Sequence, residues 1–400
     1  MFTRQDHGCG AAPGLTRTHY RASARPLRRV AAGVLCAGAS LLPLLFVGAP
    51  AAQAGLLPSA ALTLEHGWTG GPYGTAPPAA SIEPDGMVHL YGAMTTNGTD
   101  PVAFTLPPDF RPESNVYVPV DMCSGANGRL DIIPDGQVTV QTAGAWSNAQ
   151  CLTSLDGVSF FPWQYEQWRP SGSVYLPISP QYGWTGGPFG TDVPHAQLFD
   201  GVVQFAGAMA TSGTTQLAFT LPPGWRPASN VFIPVDLCGG TNGRLAIKPD
   251  GEVFVQAEGA WLNAQCFTSL EGASFVVGYD PNSPPPPPPP GVSVTSLSLQ
   301  NGWTGGPYGT AAPQAQQLDY VVHFQGAMAT NGTNNVAFQL PPGWRPVYNV
   351  FLKVDLCAGH NGQLEIFTNG YAEVYPEGGF SVWSRAQCFT SLDGVSFGPT

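Results

Sequence analysis

Charge is scarce in this sequence. Only 10% of its 400 residues are Asp, Glu, Lys or Arg, and just 15 are basic. The formal net charge is −11, and residues 1–54 hold six Arg against one Asp, so the remainder stands at −16. A chain of that sign repels phosphate backbones, which argues against a nucleic-acid partner. Its acidity is read as solubility outside the cell. Helical periodicity is also missing, with no stretch beyond the N-terminus placing apolar residues three and four apart over several turns. Nucleophile motifs of the G-x-S-x-G kind and phosphate-binding loops are absent as well.

What is abundant is Gly, 50 residues, and Pro, 41 residues, interrupting apolar and β-branched runs. The apolar fraction of 43% supplies cores, so global disorder is excluded. Short strands between frequent turns are the expected product.

The N-terminus reads as an export signal. Arg25, Arg28 and Arg29 precede a mostly apolar run from Val30 to Val47, and "AQA" at Ala52–Ala54 offers the small residues a signal peptidase reads. Residues 1–54 are therefore taken as leader and signal peptide, with a secreted, extracellular product. A retained membrane anchor fits less well, because Gly, Ser and Pro interrupt the run and no basic stop follows it. No membrane insertion is expected after cleavage.

Three copies of one unit follow. "GWTGGPYGT" at Gly67–Thr75 returns as "GWTGGPFGT" at Gly183–Thr191 and "GWTGGPYGT" at Gly302–Thr310. "FTLPPDFRP", "FTLPPGWRP" and "FQLPPGWRP" keep the register, as do "CLTSLDGVSF", "CFTSLEGASF" and "CFTSLDGVSF". The repeats span residues 56–161, 177–276 and 292–398, with connections at 162–176 and 277–291. Each repeat is the size of a small domain. The first connection carries Trp163, Tyr165 and Trp168 and is expected to pack on a neighbour. The second contains the proline run Pro284–Pro290, a stiff rod of roughly 3.1 Å per residue that would hold the third repeat away from the second.

Within a repeat, alternating runs such as "NVFIPVDLC" and "GEVFVQ" predict about eight strands. The fold class is all-β: three tandem β-sandwiches or compact barrels. "PDG" at Pro134–Gly136 and Pro249–Gly251, and "TNG" at Thr368–Gly370, predict two-residue hairpin turns with positive φ at both central positions. Asn127, Asn242 and Asn361 are expected to mark another turn.

Two cysteines fall in the leader, and six remain, one pair per repeat: Cys123 and Cys151, Cys238 and Cys266, Cys357 and Cys388. In an exported chain this predicts one internal disulfide per repeat. Zinc would need about four ligands, and no His accompanies the pair in every copy. No metal or other cofactor is implied.

The recurring candidates for chemistry are few. His89 and His323 align, but Gln204 replaces them in the second repeat. Asp121, Asp236 and Asp355 precede the first cysteine of each pair, and Asp156, Glu271 and Asp393 sit in the last turn. A carboxylate pair suits glycoside hydrolysis, but both positions also suit ordinary turn chemistry. The aromatics of the nonapeptide, Trp68 and Tyr73, Trp184 and Phe189, Trp303 and Tyr308, pack beneath a sheet or present faces to a ligand. Sugar rings suit such faces. Arg111, Arg226 and Arg345 recur beside an apolar ring (Phe110, Trp225, Trp344). They would pair with the recurring carboxylates or touch an acidic ligand.

"VVQFAGAMA", "FTLPPGWRPASNVFIPV", "GRLAIKPDGEVFVQ" and "SLEGASF" together resemble the carboxy-terminal receptor-binding domains of bacteriophage tail-fibre and baseplate proteins. The resemblance covers nearly all of each repeat. It implies a β-sandwich that often trimerises and binds bacterial surface glycans. An export signal, a cysteine pair per unit and tandem copies depart from that group and point to a secreted bacterial protein. The expected function is non-catalytic binding of an extracellular or cell-surface polysaccharide. A cell-envelope or matrix protein acting by protein association is the alternative, and a glycan-cleaving enzyme a weaker one. Separate beads, a pseudo-trimer within one chain and a homo-oligomer all stay open.

Overall fold

In the sequence of the second repeat, "VFIPVD" places Val231, Ile233 and Val235 on one side of a strand. All three are buried in that repeat's core, as a period of two requires. The other side, Phe232, Pro234 and Asp236, meets neighbouring repeats, so the strand is covered on both faces. This double burial governs the whole architecture. The computed structural model describes residues 57–278, 292–318 and 321–398. The expected signal peptide and the Pro284–Pro290 rod lie outside the described residues.

The protein is all-β. Among the described residues each repeat contributes eleven short strands rather than eight, because several pair over only two or three residues. In the second repeat, Val174–Pro177, His195–Phe199, Val202–Ala206 and Ser274–Val276 form one antiparallel sheet in that order. Leu217–Thr220, Glu252–Ala257, Asn242–Ile247 and Val231–Asp236 form another. A bridge from Leu237 to Thr268 continues it into a three-stranded sheet that ends on Trp184–Gly186. In the first repeat the same join is a regular pairing of Thr153 with Met122, giving one seven-stranded sheet. Phe205 of the four-stranded sheet meets Phe219 of the facing sheet with ring centroids 6.0 Å apart, in the core between the layers.

Two turn expectations need correction. At Pro134–Gly136 only Gly136 has positive φ, +93°, and the amide of Gly136 donates to Ile133 O at 2.8 Å. The hairpin therefore has a three-residue loop closed by Gly, with Pro in its ordinary turn position. Gly251 and Gly370 repeat this at φ +91° and +86°. Asn127, Asn242 and Asn361 lie in strands, not turns, and the bend falls just before them at each Cys-x-Gly. The second cysteine of each pair ends a short helix, Ser147–Cys151, Trp261–Cys266 or Ser384–Cys388. At five or six residues these are too short to show a helical period.

The three disulfides join the predicted partners within each repeat, with Cα–Cα distances of 5.6 Å in all three, the ordinary span for such a bond.

The repeats are not separated beads. Asn115 N donates to Gly190 O, Asn230 N to Gly309 O, and Asn349 N to Gly74 O, each at 3.0 Å. The last bond joins the third repeat to the first, so the contacts close into a ring with pseudo-threefold symmetry. The expectation that the proline run keeps the third repeat away from the second is therefore wrong. The described residues cluster as one compact unit, and closure satisfies the outward faces of all three copies.

Side chains repeat the same cyclic pattern. Asn127 Nδ2 donates to Gly240 O, Asn242 Nδ2 to Gly359 O and Asn361 Nδ2 to Gly125 O, at 2.6, 2.8 and 2.6 Å. Ser154, Ser269 and Ser391 donate their hydroxyls to Phe351 O, Tyr117 O and Phe232 O, each at 2.6 Å. Along the axis the strands Val116–Met122, Val231–Asp236 and Val350–Asp355 abut one another. There Pro119, Pro234 and Lys353 occupy equivalent positions around one small cavity.

Candidate binding clefts at the repeat junctions

The nonapeptide divides its aromatics between two tasks. Trp68, Trp184 and Trp303 are each 4% exposed. Their indole N–H groups donate to Asp100 O, Thr215 O and Asn334 O at 3.1, 3.0 and 3.0 Å. Each packs edge to face, with centroids 6.0 Å apart, on a second tryptophan beside the short helix: Trp146, Trp261 or Trp383. Sealed in the core and hydrogen-bonded, these three offer no face to a ligand, and as candidate binding residues they are corrected to structural ones. Their tryptophan partners lie outside the strings repeated in all three copies, so repetition alone does not point to them.

Tyr73, Phe189 and Tyr308 are the opposite, exposed by 61%, 61% and 64%. Their backbones are left-handed, with φ of 55°, 56° and 54°, a conformation costing a non-glycine residue about 1–2 kcal/mol. Left-handed Gly71, at φ +76°, and Pro72 lead into this turn, and one residue earlier a Cβ on Gly70 would sit 2.3 Å from Pro78 Cδ, so only glycine passes there. The left-handed turn swings two carbonyls outward for capture by the adjoining repeat. Asn349 Nδ2 donates to Tyr73 O, Asn115 Nδ2 to Phe189 O and Asn230 Nδ2 to Tyr308 O, at 3.0, 2.9 and 3.0 Å. The backbone amide of each Asn takes the next carbonyl. Two bonds per junction, worth about 1 kcal/mol each, offset the strain. The nonapeptide is thus a latch between repeats that leaves one ring projecting.

Each projecting ring meets an aromatic side chain at the seam between two repeats, and beside Tyr308 the seam opens into a recess. At the second junction, Tyr308 stands 5.8 Å from Phe389, which lies 5.3 Å from Phe232 of the neighbouring repeat. Arg244 caps Phe232 with its guanidinium carbon 4.7 Å from the ring centre. With Cys357 and Ala358 these groups enclose about 170 Å³. At the first junction Phe189, Phe267, Tyr117 and Arg129 repeat the arrangement, with spacings of 5.8, 5.1 and 4.7 Å. The third junction differs: Tyr73 is 6.4 Å from Phe351, while Leu152 and Gln363 replace the Phe and the Arg. Tyr73 and Tyr308 bring their hydroxyls within 3.3 Å of Cys151 and Cys388 Sγ, across the disulfides.

The capping arginines are not free cations. Arg129 lies 2.7 Å from Asp131 and 3.1 Å from Asp236, and Arg244 lies 3.0 Å from Asp355. The first and second junctions therefore present aromatic faces edged by neutralised polar groups.

Arg111, Arg226 and Arg345 have another role. Their Nε atoms donate to Leu106 O, Leu221 O and Leu340 O at 3.0, 2.9 and 2.9 Å. They brace the Gly-closed hairpin from within the same repeat, and Arg345 does not line the recess. The expected pairing with the recurring carboxylates is not formed. Those carboxylates pair instead with Arg129, Arg244 and Gln363, whose side chain donates to Asp121 Oδ2 at 2.5 Å.

Both carboxylate sets are buried for architectural reasons. Asp156, Glu271 and Asp393 accept from Gly92, Gly207 and Gly326 N at 2.9, 2.7 and 2.8 Å. Burial raises the Asp156 and Asp393 carboxyls to about 7 and Glu271 to about 8. Burial likewise lifts Asp236 and Asp355 to about 7 and Asp121 well above its usual range. Lys353 reaches Asn127 Oδ1 among them, and burial lowers its ammonium to about 8.

The aligned trio His89, Gln204 and His323 also converges where the repeats meet. Asp85 Oδ2 binds His89 Nε2 at 2.8 Å and accepts from Gln204 Nε2 at 2.6 Å. Burial, with His89 adjacent, lowers His323 to about 4. Both ends of the interface are thus pinned by buried polar contacts. No described helix is long and apolar enough to cross a membrane, and no group of metal-binding side chains gathers among the described residues. Comparison with protein-family models, curated proteins and solved structures finds no match for this chain.

Proposed function

We propose that this is a secreted, non-catalytic binding protein whose ligand is an extracellular or cell-surface glycan, taken at the exposed rings of the three junctions. The observation carrying this reading is that Tyr73, Phe189 and Tyr308 stay more than 60% exposed on backbones fixed by hydrogen bonds from the next repeat. A rigid, outward aromatic face beside polar groups suits the C–H face of a sugar ring. Pre-organisation lowers the ordering entropy that binding must overcome. Three such faces held at fixed separation in one ring would engage a repeating polysaccharide together, so that weak single contacts add up. The rigid ring, not flexible connections, would supply that effect. The buried, hydrogen-bonded state of the recurring carboxylates supports binding over hydrolysis.

The test uses the whole mature chain, since the repeats interlock. It would be applied to a glycan array and to isolated bacterial cell walls. Binding that falls at least tenfold in a Tyr73→Ala/Phe189→Ala/Tyr308→Ala variant of unchanged melting temperature supports the reading. Failure of the parent chain to bind any polysaccharide removes it. Concentration-dependent self-association through the same rings would favour a matrix role instead.

A further inference from the structure

A recess larger than the one beside Tyr308 lies elsewhere. It encloses about 500 Å³ between the connection that follows the first repeat and the edge of the second. Its apolar wall consists of rings: Phe161 lies 4.8 Å from Tyr165 and 5.3 Å from His195, and Tyr175 lies 5.2 Å from His195. The His195 Nδ1 stands 3.0 Å from Val193 O, so the imidazole is held in place by the backbone.

Its polar wall is acidic. Glu113, Glu166, Asp192 and Glu271 border it, against a single Arg169. Arg169 is already 3.6 Å from Glu166, and the His195 imidazole, 3.7 Å from Asp192, is a cation only when protonated, so Glu113 and Glu271 have no cationic partner. Glu271 is 3% exposed, and its Oε2 has no hydrogen-bond partner although Oε1 is fixed by Gly207 N. An unpartnered buried oxygen of this kind costs about 1–3 kcal/mol or more unless something fills the need.

The first repeat shares the unpartnered oxygen, at Asp156 Oδ2, but the combination of acids and imidazole around it belongs to one copy only. The sister repeats carry Asp156 and Asp393 where this one has Glu271, Ala76 and Ala311 where it has Asp192, and Ala79 and Gln314 where it has His195. The fold itself does not require the longer carboxylate, the extra acid or the imidazole, because two neighbours build the same fold without them.

We propose that this recess is a second binding site, independent of the junction rings, for a linear organic diamine or polyamine, with Glu271 and Asp192 receiving an ammonium group and Phe161 and Tyr175 flanking its methylene chain. Carboxylates distributed around aromatic walls match a cation that is charged at its ends and apolar between them. Burial and the nearby Asp192 hold the Glu271 carboxyl up to about 8, so uptake of a cation near neutral pH expels its proton. Asp192, Glu113 and Glu166, the Arg169 guanidinium and the His195 imidazole also face the recess and set the field in which that proton leaves.

The experiment is titration calorimetry of the full mature chain with spermidine, in two buffers of different ionisation enthalpy, with 1,5-pentanediol as the neutral control. The expected result is one site, proton release, and no response to the diol. Glu271→Asp keeps the net charge and installs the residue of the sister repeats, so the variant should fold. It is expected to weaken spermidine at least tenfold, as is Asp192→Ala, which also copies the sisters. Absence of spermidine binding by the parent chain overturns the proposal. So does binding that Glu271→Asp leaves unchanged, because that marks diffuse attraction to an acidic surface. Alanine at Tyr73, Phe189 and Tyr308 should leave spermidine binding intact, which separates failure here from failure of the glycan reading.

Discussion

Asn349 donates its side-chain amide to the main-chain oxygen of Tyr73, 276 residues earlier in the chain, at 3.0 Å. That bond joins the last repeat to the first and closes the ring. Asn349→Ala removes it, together with the acceptor for Thr368 N at 3.3 Å. The expected loss is about 1–2 kcal/mol of unfolding free energy, seen as a lower urea midpoint with a single transition retained. An unchanged midpoint would show that the latch carries no stability.

The two aromatics of the nonapeptide should respond oppositely to truncation. Trp303→Ala empties a core site and is expected to cost about 3–5 kcal/mol. Tyr308→Gly removes an exposed ring from a left-handed backbone that glycine adopts freely, and the melting temperature should hold or rise. A large loss on Tyr308→Gly would mean that the ring is scaffold.

Acid should stabilise this protein over the mildly acidic range. Burial raises Asp156, Asp236, Asp355 and Asp393 to about 7 and Glu271 to about 8, from ordinary values of 3.8 and 4.5. Between those limits the folded state holds protons that the unfolded chain releases, so stability falls as pH rises. His323, lowered to about 4, opposes this below its ordinary value of 6.5, but one imidazole faces five carboxyls. The urea midpoint should be higher near pH 5 than near pH 8, and the reverse ordering would contradict the burial of these groups.

Lys353 stands where the other repeats carry Pro119 and Pro234, and its ammonium is the third cation near Asp121, Asp236 and Asp355. Lys353→Met leaves those carboxyls with Arg129 and Arg244 alone. A loss of about 3–5 kcal/mol is expected near pH 8, shrinking toward pH 5 as the carboxyls protonate. A pH-independent loss would assign the effect to packing.

Each disulfide closes a short loop, with partners 28, 28 and 31 residues apart. Replacing Cys238 and Cys266 by Ala should lower stability by about 3–4 kcal/mol on the chain-entropy model, read from denaturant unfolding of the variant.

Much of this was legible in the residues. Strand alternation, the repeat register and the cysteine pairs are local or compositional signals, and the strands and disulfides formed where they pointed. The short helices and the bulged hairpins were not legible, because five residues carry no period and Asp-Gly suits more than one turn. The roles of Arg111, Arg226 and Arg345 were misjudged for a similar reason. A guanidinium beside recurring acids suggests an ion pair, yet the nearest acceptor in space is a leucine carbonyl five residues back.

The sequence by itself determined that the chain is all-β, built in three copies and stapled once in each, because alternation, repetition and cysteine spacing act within a hundred residues. Only the tertiary structure decided that the copies close into a ring, which rings of the nonapeptide are sealed and which project. Those outcomes depend on partners such as Asn349 and Tyr73, brought together from opposite ends of the fold, and no local pattern encodes which outward face will find which.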